Sequence, residues 1–246
     1  MTYVELLVAR LRLCDFLTFS SSVLPVEIGG VTYPVYRPVP YIHNYSLMYA
    51  FGGLVYASLA SPSKPADHGE VPYSLLSEIS KDLYVYPARP SLVDMTRILA
   101  NVKSEGFAEP RKVKPKSLYP WHVAHMTFAP GSIFETVILL SNGNLKLPKT
   151  IRLGVKRQGV FEVNYYRAKV IDYVSGWSDP INLGDMVRYG LKPDKYVALL
   201  VTKTVRKGNQ FSNIVARGYY SERKLSVIET DSGRRESTFF LPLPGL

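Results

Sequence analysis

Apolar and polar residues alternate at the start of the chain in a way that predicts a strand over residues 3–13. Leu7, Ala9, Leu11 and Leu13 fall on one face, and Val4, Leu6, Val8, then Arg10 and Arg12, on the other. A central strand that is apolar early and cationic late suits a sheet with one partly open face. Residues 19–40 are rich in Ser, Gly and Pro, which predicts irregular chain or short edge pieces. The next pattern is helical: NYSLMYAFGGLVYASLA, over 44–60, carries apolar residues all round. Such a helix is deeply buried, packed against a sheet and covered outside. Gly52 and Gly53 would each cost it roughly 1 kcal/mol relative to alanine, and close backbone packing is the expected compensation.

Further along, the pattern predicts a short helix at 75–81 and a strand at 82–87. It also predicts a second helix over 91–102, with Ser91 as cap and Asp94 as the acid of a capping box. Residues 103–125 read as a basic loop. From Ser132 onward the pattern is that of strands, at 133–140, 151–156, 160–173, 195–205, 211–220, 224–230 and 237–241, with RKGNQ at 206–210 as a hairpin turn. No internal repeat or low-complexity linker interrupts the chain. The expectation is a single α+β domain over 1–246, RRM-like at its start and β-rich in its C-terminal half.

Composition adds a partner class. The chain has 246 residues, 46% hydrophobic and 20% charged, as a folded protein requires. Lys and Arg outnumber Asp and Glu by 30 to 20, a formal charge of +10 that favours polyanionic partners. Cys14 is the only cysteine, so neither an intrachain disulfide nor a multi-cysteine zinc site can form, which suits a reducing cytoplasm. Glu5, Arg10 and Arg12 break up any apolar export segment near the start. The uncharged stretch 38–63 holds Pro38, Pro40, His43, Asn44 and several Tyr and Ser residues, too polar and broken to span a membrane. A cytoplasmic protein without membrane contact is expected.

The cations cluster. Seven lie between Lys146 and Lys169 against one acid, Glu162, and seven between Lys195 and Lys224 against Glu222. A third run is Arg111, Lys112, Lys114 and Lys116. Clusters of this kind track a phosphate backbone. Aromatics interleave with them: Tyr165 and Tyr166 beside Arg167, Tyr219 and Tyr220 after Arg217, Trp121 after the lysines. Flat side chains beside guanidinium groups can stack unpaired bases, although strand tyrosines commonly fill a core. In IRLGVKRQGVFEV (151–163), Gly154 and Gly159 bracket Lys156 and Arg157, a backbone free to approach phosphates or an ordinary turn. Its spacing matches neither a P-loop nor a dinucleotide fingerprint.

Signals of catalysis are weak. The histidines are His43, His68, His122 and His125. The last two form an HxxH pair with no evident third ligand, so neither a metal nor another cofactor is expected. No nucleophile elbow or carboxylate pair stands out. A metal-independent endoribonuclease needs only a base, an acid and a cation, which His43, Tyr45 or His122 with Lys156 could supply. That is the alternative to simple binding.

The stretch PYIHNYSLMYAFGG (40–53), followed in order by YPARP (86–90), FAPGSIFE (128–135), IRLG (151–154) and DPIN (179–182), resembles the Csc-one type of the Cas-five family, the small RAMP subunit of type I-D CRISPR Cascade. The resemblance implies a ferredoxin-like RAMP domain with extra β-structure. Such a subunit holds the 5′ handle of the guide RNA and caps the foot of an antiviral DNA-targeting complex. It also implies contacts with the first backbone subunit and the large subunit, with target DNA beside the PAM a further candidate partner. Target sequence would be read by guide pairing. Processing of precursor RNA belongs to a separate Cas-six endonuclease in type I-D systems, so no catalysis is implied. A thumb-like hairpin pins RNA in such subunits, and 103–125 is its candidate here. The site residues expected on this basis are Arg152, Lys156, Arg157 and Arg167 on handle phosphates, reinforced by Lys112 and Lys114. His43, Asn44 and Tyr45 at the helix start would offer donors to RNA. For His43 and Asn44, a helix cap with core packing is the equal alternative.

Overall fold

The computed structural model describes residues 5–17, 22–28, 31–37, 39–56, 79–101, 122–141, 145–153, 159–201, 214–231 and 237–244, with backbone alone at 22–28, 31–37, 53–56, 97–101, 122–126 and 201. In chain order the first elements are β1 (Glu5–Leu13), β2 (Ser22–Ile28), β3 (Val31–Arg37), α1 (Asn44–Tyr56), β4 (Leu83–Val85), β5 (Arg89–Leu92), β6 (Met95–Asn101) and β7 (His122–Phe128). Then follow β8 (Ile133–Leu140), β9 (Thr150–Leu153), β10 (Gly159–Trp177), β11 (Ile181–Asn182), α2 (Leu183–Arg188), β12 (Lys195–Val201), β13 (Ile214–Thr230) and β14 (Thr238–Leu241). The fold is strand-rich α+β, built on a curled antiparallel sheet.

Strand β1 is central, as its alternation predicts. It pairs with β8 on one side and β10 on the other, and the sheet runs β11-β13-β10-β1-β8-β4. Leu7, Ala9, Leu11 and Leu13 share a face with Phe161 and Val163 of β10 and with Ile151 and Leu153 of β9, and all eight are buried. Helix α1 lies against this face, with the Phe51 and Tyr165 rings 6.3 Å apart. The glycine compensation in α1 is visible at Gly52, where a Cβ would meet Ile79 Cγ2 at 2.9 Å. Residue 79 belongs to a helical segment at 79–82, where the chain pattern predicts a short helix.

Behind β8 the other face is closed too, since Val137 and Leu139 are buried. The C-terminal strands curl back to cover it. Thr238 O accepts from Arg89 at 2.9 Å, Ser237 Oγ bonds Glu135 at 3.1 Å, and the Tyr86 hydroxyl donates to Pro242 O. Leu225, Ile228, Phe239 and Leu241 thereby join the same hydrophobic cluster as β1 and α1.

The helix expected over 91–102 is not formed; this segment is β5 and β6. Met95–Asn101 pairs residue for residue with His122–Phe128. Asp94 serves no capping box: its carboxylate accepts from Met95 N, and its backbone exchanges bonds with Ser132 Oγ. A partner strand remote in sequence outweighs local periodicity, which is the usual way tertiary pairing overrides propensity. Residues 19–40, expected as irregular or short edge pieces, contain the β2–β3 hairpin, with Ile28 opposite Val31. The two strands expected at 211–220 and 224–230 are one long strand, β13. The turn at 206–210 lies outside the described residues.

Candidate nucleic-acid interface

The motif residues at the start of α1 converge on one buried carboxylate. His43 precedes the helix, and its Nδ1 accepts the Tyr45 N–H at 3.2 Å, capping the first turn. Asn44 Nδ2 donates to Asp185 Oδ2 at 2.7 Å, the Tyr45 hydroxyl to Oδ1 at 2.8 Å and the Tyr84 hydroxyl to Oδ2 at 3.1 Å. Asn182 Nδ2 donates in turn to Asn44 Oδ1 at 2.9 Å, while its own Oδ1 caps α2 through Gly184 N and Asp185 N. Burial raises the Asp185 pKa against the pull of these donors, and burial also raises the Tyr45 and Tyr84 hydroxyls. His43, also desolvated, is lowered to about 4, so its imidazole stays neutral with a proton on Nε2.

A second polar cluster ties other motif pieces together. Arg89 of YPARP reaches Asp179 of DPIN at 2.8 Å and Glu135 of FAPGSIFE at 3.7 Å, and its guanidinium lies 3.8 Å from the Phe239 ring centre. Asp179 Oδ2 also accepts Phe240 N at 2.8 Å. Cap-and-packing is therefore the role the geometry gives Asn44. It is 0% exposed, donates one Nδ2–H to Asp185 and accepts from Asn182 at Oδ1.

The open cationic surface lies elsewhere. Across the register, Arg152 stands opposite Val160, Glu162 opposite Arg12, and Asn164 opposite Arg10. Opposed residues share a face and successive ones alternate. Arg10, Arg12, Arg152, Asn164 and Tyr166 therefore occupy one side of three neighbouring strands, the side away from α1. Arg12 and Glu162 are 64% and 52% exposed and 3.9 Å apart, so this pair leaves the guanidinium largely free for a polyanion. Among the described residues no carboxylate lies within ion-pair distance of Arg10, Lys146, Lys149 or Arg152.

Arg167, expected beside Arg152, falls on the opposite face, seven register positions from Val160, where it meets Glu5 at 3.6 Å. Two other cations counted as unopposed in sequence have partners remote in the chain: Lys169 with Asp231 at 3.3 Å and Arg223 with Asp172 at 2.8 Å. Lys112, Lys114, Lys156 and Arg157 lie outside the described residues, but their anchors do not. β6 and β7 form the stem of a hairpin enclosing 102–121, and β9 and β10 flank 154–158. Arg10 and Arg12 were absent from the expected site, although the late cationic face of the first strand was their signal. Asp185 carried no such signal, because a lone aspartate after DPIN reads as surface.

Comparison with protein families places the chain. The sequence profile of the family described as Type I-D CRISPR-associated protein Cas5/Csc1 matches residues 4–197. That span takes in α1, the Asp185 network, the ion pairs of Arg89 with Glu135 and Asp179, and the arginine face. The chain belongs to this family, and with it to the subunits of type I-D CRISPR effector complexes. Comparison with curated proteins gives no match. Among the described residues no helix is long and apolar enough to cross a membrane.

Proposed function

We propose that the chain is a non-catalytic guide-RNA-binding subunit that holds the 5′ handle on the arginine face of β1, β10 and β9. The observation that carries this reading is the register itself, which sets the half-buried Arg10 and the exposed Arg12 and Arg152 on one face. Two strand spacings and two residues separate Arg12 from Arg152, roughly 12 Å between Cα atoms, a gap that the long arginine side chains can narrow toward neighbouring phosphates. Tyr166 and Asn164 on the same face offer a flat ring and an amide to a base.

The same topology supports a ferredoxin-like RAMP core. In chain order β1, α1, β4, β8 and β10 give the spatial order β10-β1-β8-β4, all antiparallel, the split βαβ arrangement of that fold. Between β8 and β10 the described residues hold β9 in place of a second helix. The β6–β7 hairpin is the proposed thumb, carrying Lys112 and Lys114 beyond its stem. The partners in this reading are the guide RNA, the first backbone subunit and the large subunit of a cytoplasmic complex, with target DNA beside the PAM a further contact.

Holding without cleaving is favoured by the state of His43 and Tyr45, two of the residues nominated for catalysis; the His122 side chain and Lys156 lie outside what is described. His43 Nδ1 is occupied as a helix cap and its pKa sits near 4, while the Tyr45 hydroxyl is committed to Asp185 and raised. Neither is poised to exchange a proton near neutrality.

The test is binding of labelled handle RNA to wild type and to the double variant Arg12→Glu, Arg152→Glu. Losing two or more phosphate contacts should weaken affinity at least tenfold and flatten its salt dependence. Unchanged affinity removes this face from the site. Incubation with repeat RNA in chelator should leave the RNA intact, and specific cleavage lost in His43→Ala would instead favour the endoribonuclease.

A further inference from the structure

Far along β10 from the arginine face, a second exposed patch combines rings and cations. Trp177 stands opposite Tyr219, and Tyr219 opposite Lys195, across the β10–β13–β12 ribbon. Two residues on, Arg217 stands opposite Val197 on the same side. Trp177 is 41% exposed and Val197 55%. The Trp177 and Tyr219 rings meet edge to face at 5.5 Å, and the Lys195 ammonium sits 5.7 Å from the Tyr219 centre.

The patch is held rigidly. Pairing with β13 shifts between Val174 and Gly176, where Ser175 of β10 faces residues 221–224 of β13, and Gly176 adopts φ +141°, a backbone that an L side chain rarely takes. The positive φ of Gly176 sets the direction of the residue that follows, here Trp177. On its far side Ser178 is clamped to β13: its N–H donates to Gly218 O at 2.7 Å, its Oγ accepts Gly218 N at 2.9 Å, and its carbonyl accepts Arg217 Nε at 2.9 Å. Gly218 is pressed on Pro193, where a Cβ would lie 2.7 Å from Pro193 Cβ. An exposed tryptophan between a positive-φ glycine on one side and a hydrogen-bonded clamp on the other is pre-organised for a flat ligand.

We propose that Trp177 and Tyr219 form a stacking platform for an unpaired base of a single-stranded nucleic acid, with Lys195 and Arg217 receiving the adjoining phosphates. Charge decides in favour of nucleic acid over a protein face. Both cations lie beside the rings; Asp179 is paired with Arg89, while Asp194, which accepts from the Ser221 N–H and hydroxyl, keeps its charge next to Lys195 and leaves Arg217 as the excess cation. Stacking on an aromatic side chain is tolerant of sequence and adds to the phosphate contacts. This site is distinct from the arginine face and does not depend on it.

The experiment uses a Trp121→Phe background, in which Trp177 is the sole tryptophan. Short oligouridine and oligothymidine should quench its fluorescence saturably. Quenching by both identifies a base-and-phosphate contact, and quenching by the ribose form alone a contact that also uses the 2′-hydroxyl. Anisotropy of labelled oligonucleotide should show Trp177→Ala binding roughly ten- to hundredfold more weakly and Trp177→Phe retaining most of the affinity. Arg152→Glu should leave the quenching in place, so a failure here is separable from a failure of the handle-binding face. No quenching at saturating oligonucleotide, or equal affinity of Trp177→Ala and wild type, overturns the proposal. So does a Trp177→Ala variant that binds normally but fails to join its complex, which would assign the patch to a protein neighbour.

Discussion

Replacing Asp185 with alanine removes the carboxylate that three side-chain donors share. Asn44 Nδ2 and the Tyr84 hydroxyl are buried, at 0% and 1% exposure of their residues, and water cannot replace the lost acceptor without opening the core. Each orphaned buried donor costs about 1–3 kcal/mol, and the half-buried Tyr45 hydroxyl adds less because it can turn toward solvent. Relief of the buried charge offsets part of this, since burial raises the Asp185 pKa. The net expectation is a loss of about 3 kcal/mol. With a urea m-value of about 3 kcal/mol per molar, the unfolding midpoint falls by about 1 M. Asp185→Asn keeps one acceptor oxygen for Asn44 and Tyr84 while the Tyr45 hydroxyl rotates to accept, so it should fall by less than half as much. The assay is urea unfolding followed by tryptophan fluorescence. An Asp185→Ala midpoint within about 0.2 M of wild type would refute the claim that this network joins α1 to the C-terminal half.

Other expectations rest on the same geometry. His43, lowered to about 4, gives stability that is present above its unfolded value near 6.5 and lost as pH falls toward 4, up to roughly 3 kcal/mol. His43→Asn, a neutral cap, should flatten that acid limb in melts across pH, and an unchanged limb would place its origin elsewhere. Asp185 has the opposite sign: its raised pKa gives stability that is present below its unfolded value and lost as pH rises through the folded one, a decline absent from Asp185→Asn. Gly52→Ala should lower the melting temperature despite the gain of about 1 kcal/mol in helix propensity, because its methyl meets Ile79 at 2.9 Å; a higher melting temperature would contradict that packing. Arg89→Met leaves Glu135, whose side chain is 9% exposed, without its cation and should destabilise by about 3 kcal/mol in the same urea assay, a result that a loss below 1 kcal/mol would exclude.

How much of this was readable from sequence depends on whether a signal is local. Period-two alternation placed β1, a short apolar run placed β8, and an all-apolar run with two glycines placed α1, because burial on one or both faces writes itself into neighbouring residues. The helix expected over 91–102 failed because Met95–Asn101 fits either period, and the deciding partner, His122–Phe128, lies beyond an intervening stretch of some twenty residues. Charge counting missed partners of the same kind. Glu5, Asp172 and Asp231 come within ion-pair distance of Arg167, Arg223 and Lys169 from remote parts of the chain, which a sequence window cannot see, although all three cations stay largely exposed. The family motifs were legible as patterns, yet their residues proved to be joints: Arg89 with Glu135 and Asp179, Asn44 with Asn182 and Asp185. Arg152 could be named from sequence. Its neighbours Arg10 and Arg12 required the register, because only pairing through β10 brings strands some 140 residues apart onto one face.

Cys14 provides the most direct probe of that face. It is the sole cysteine, it is exposed, and its N–H bonds Val160 O at 2.8 Å, next to Arg12 and the strand opposite Arg152. The rate of its modification by a maleimide, with and without saturating handle RNA, reports whether a phosphate chain lies there. A guide gripped by Arg10, Arg12 and Arg152 should slow the reaction at least tenfold. An unchanged rate at full RNA occupancy would show that the nucleic acid lies elsewhere on the molecule.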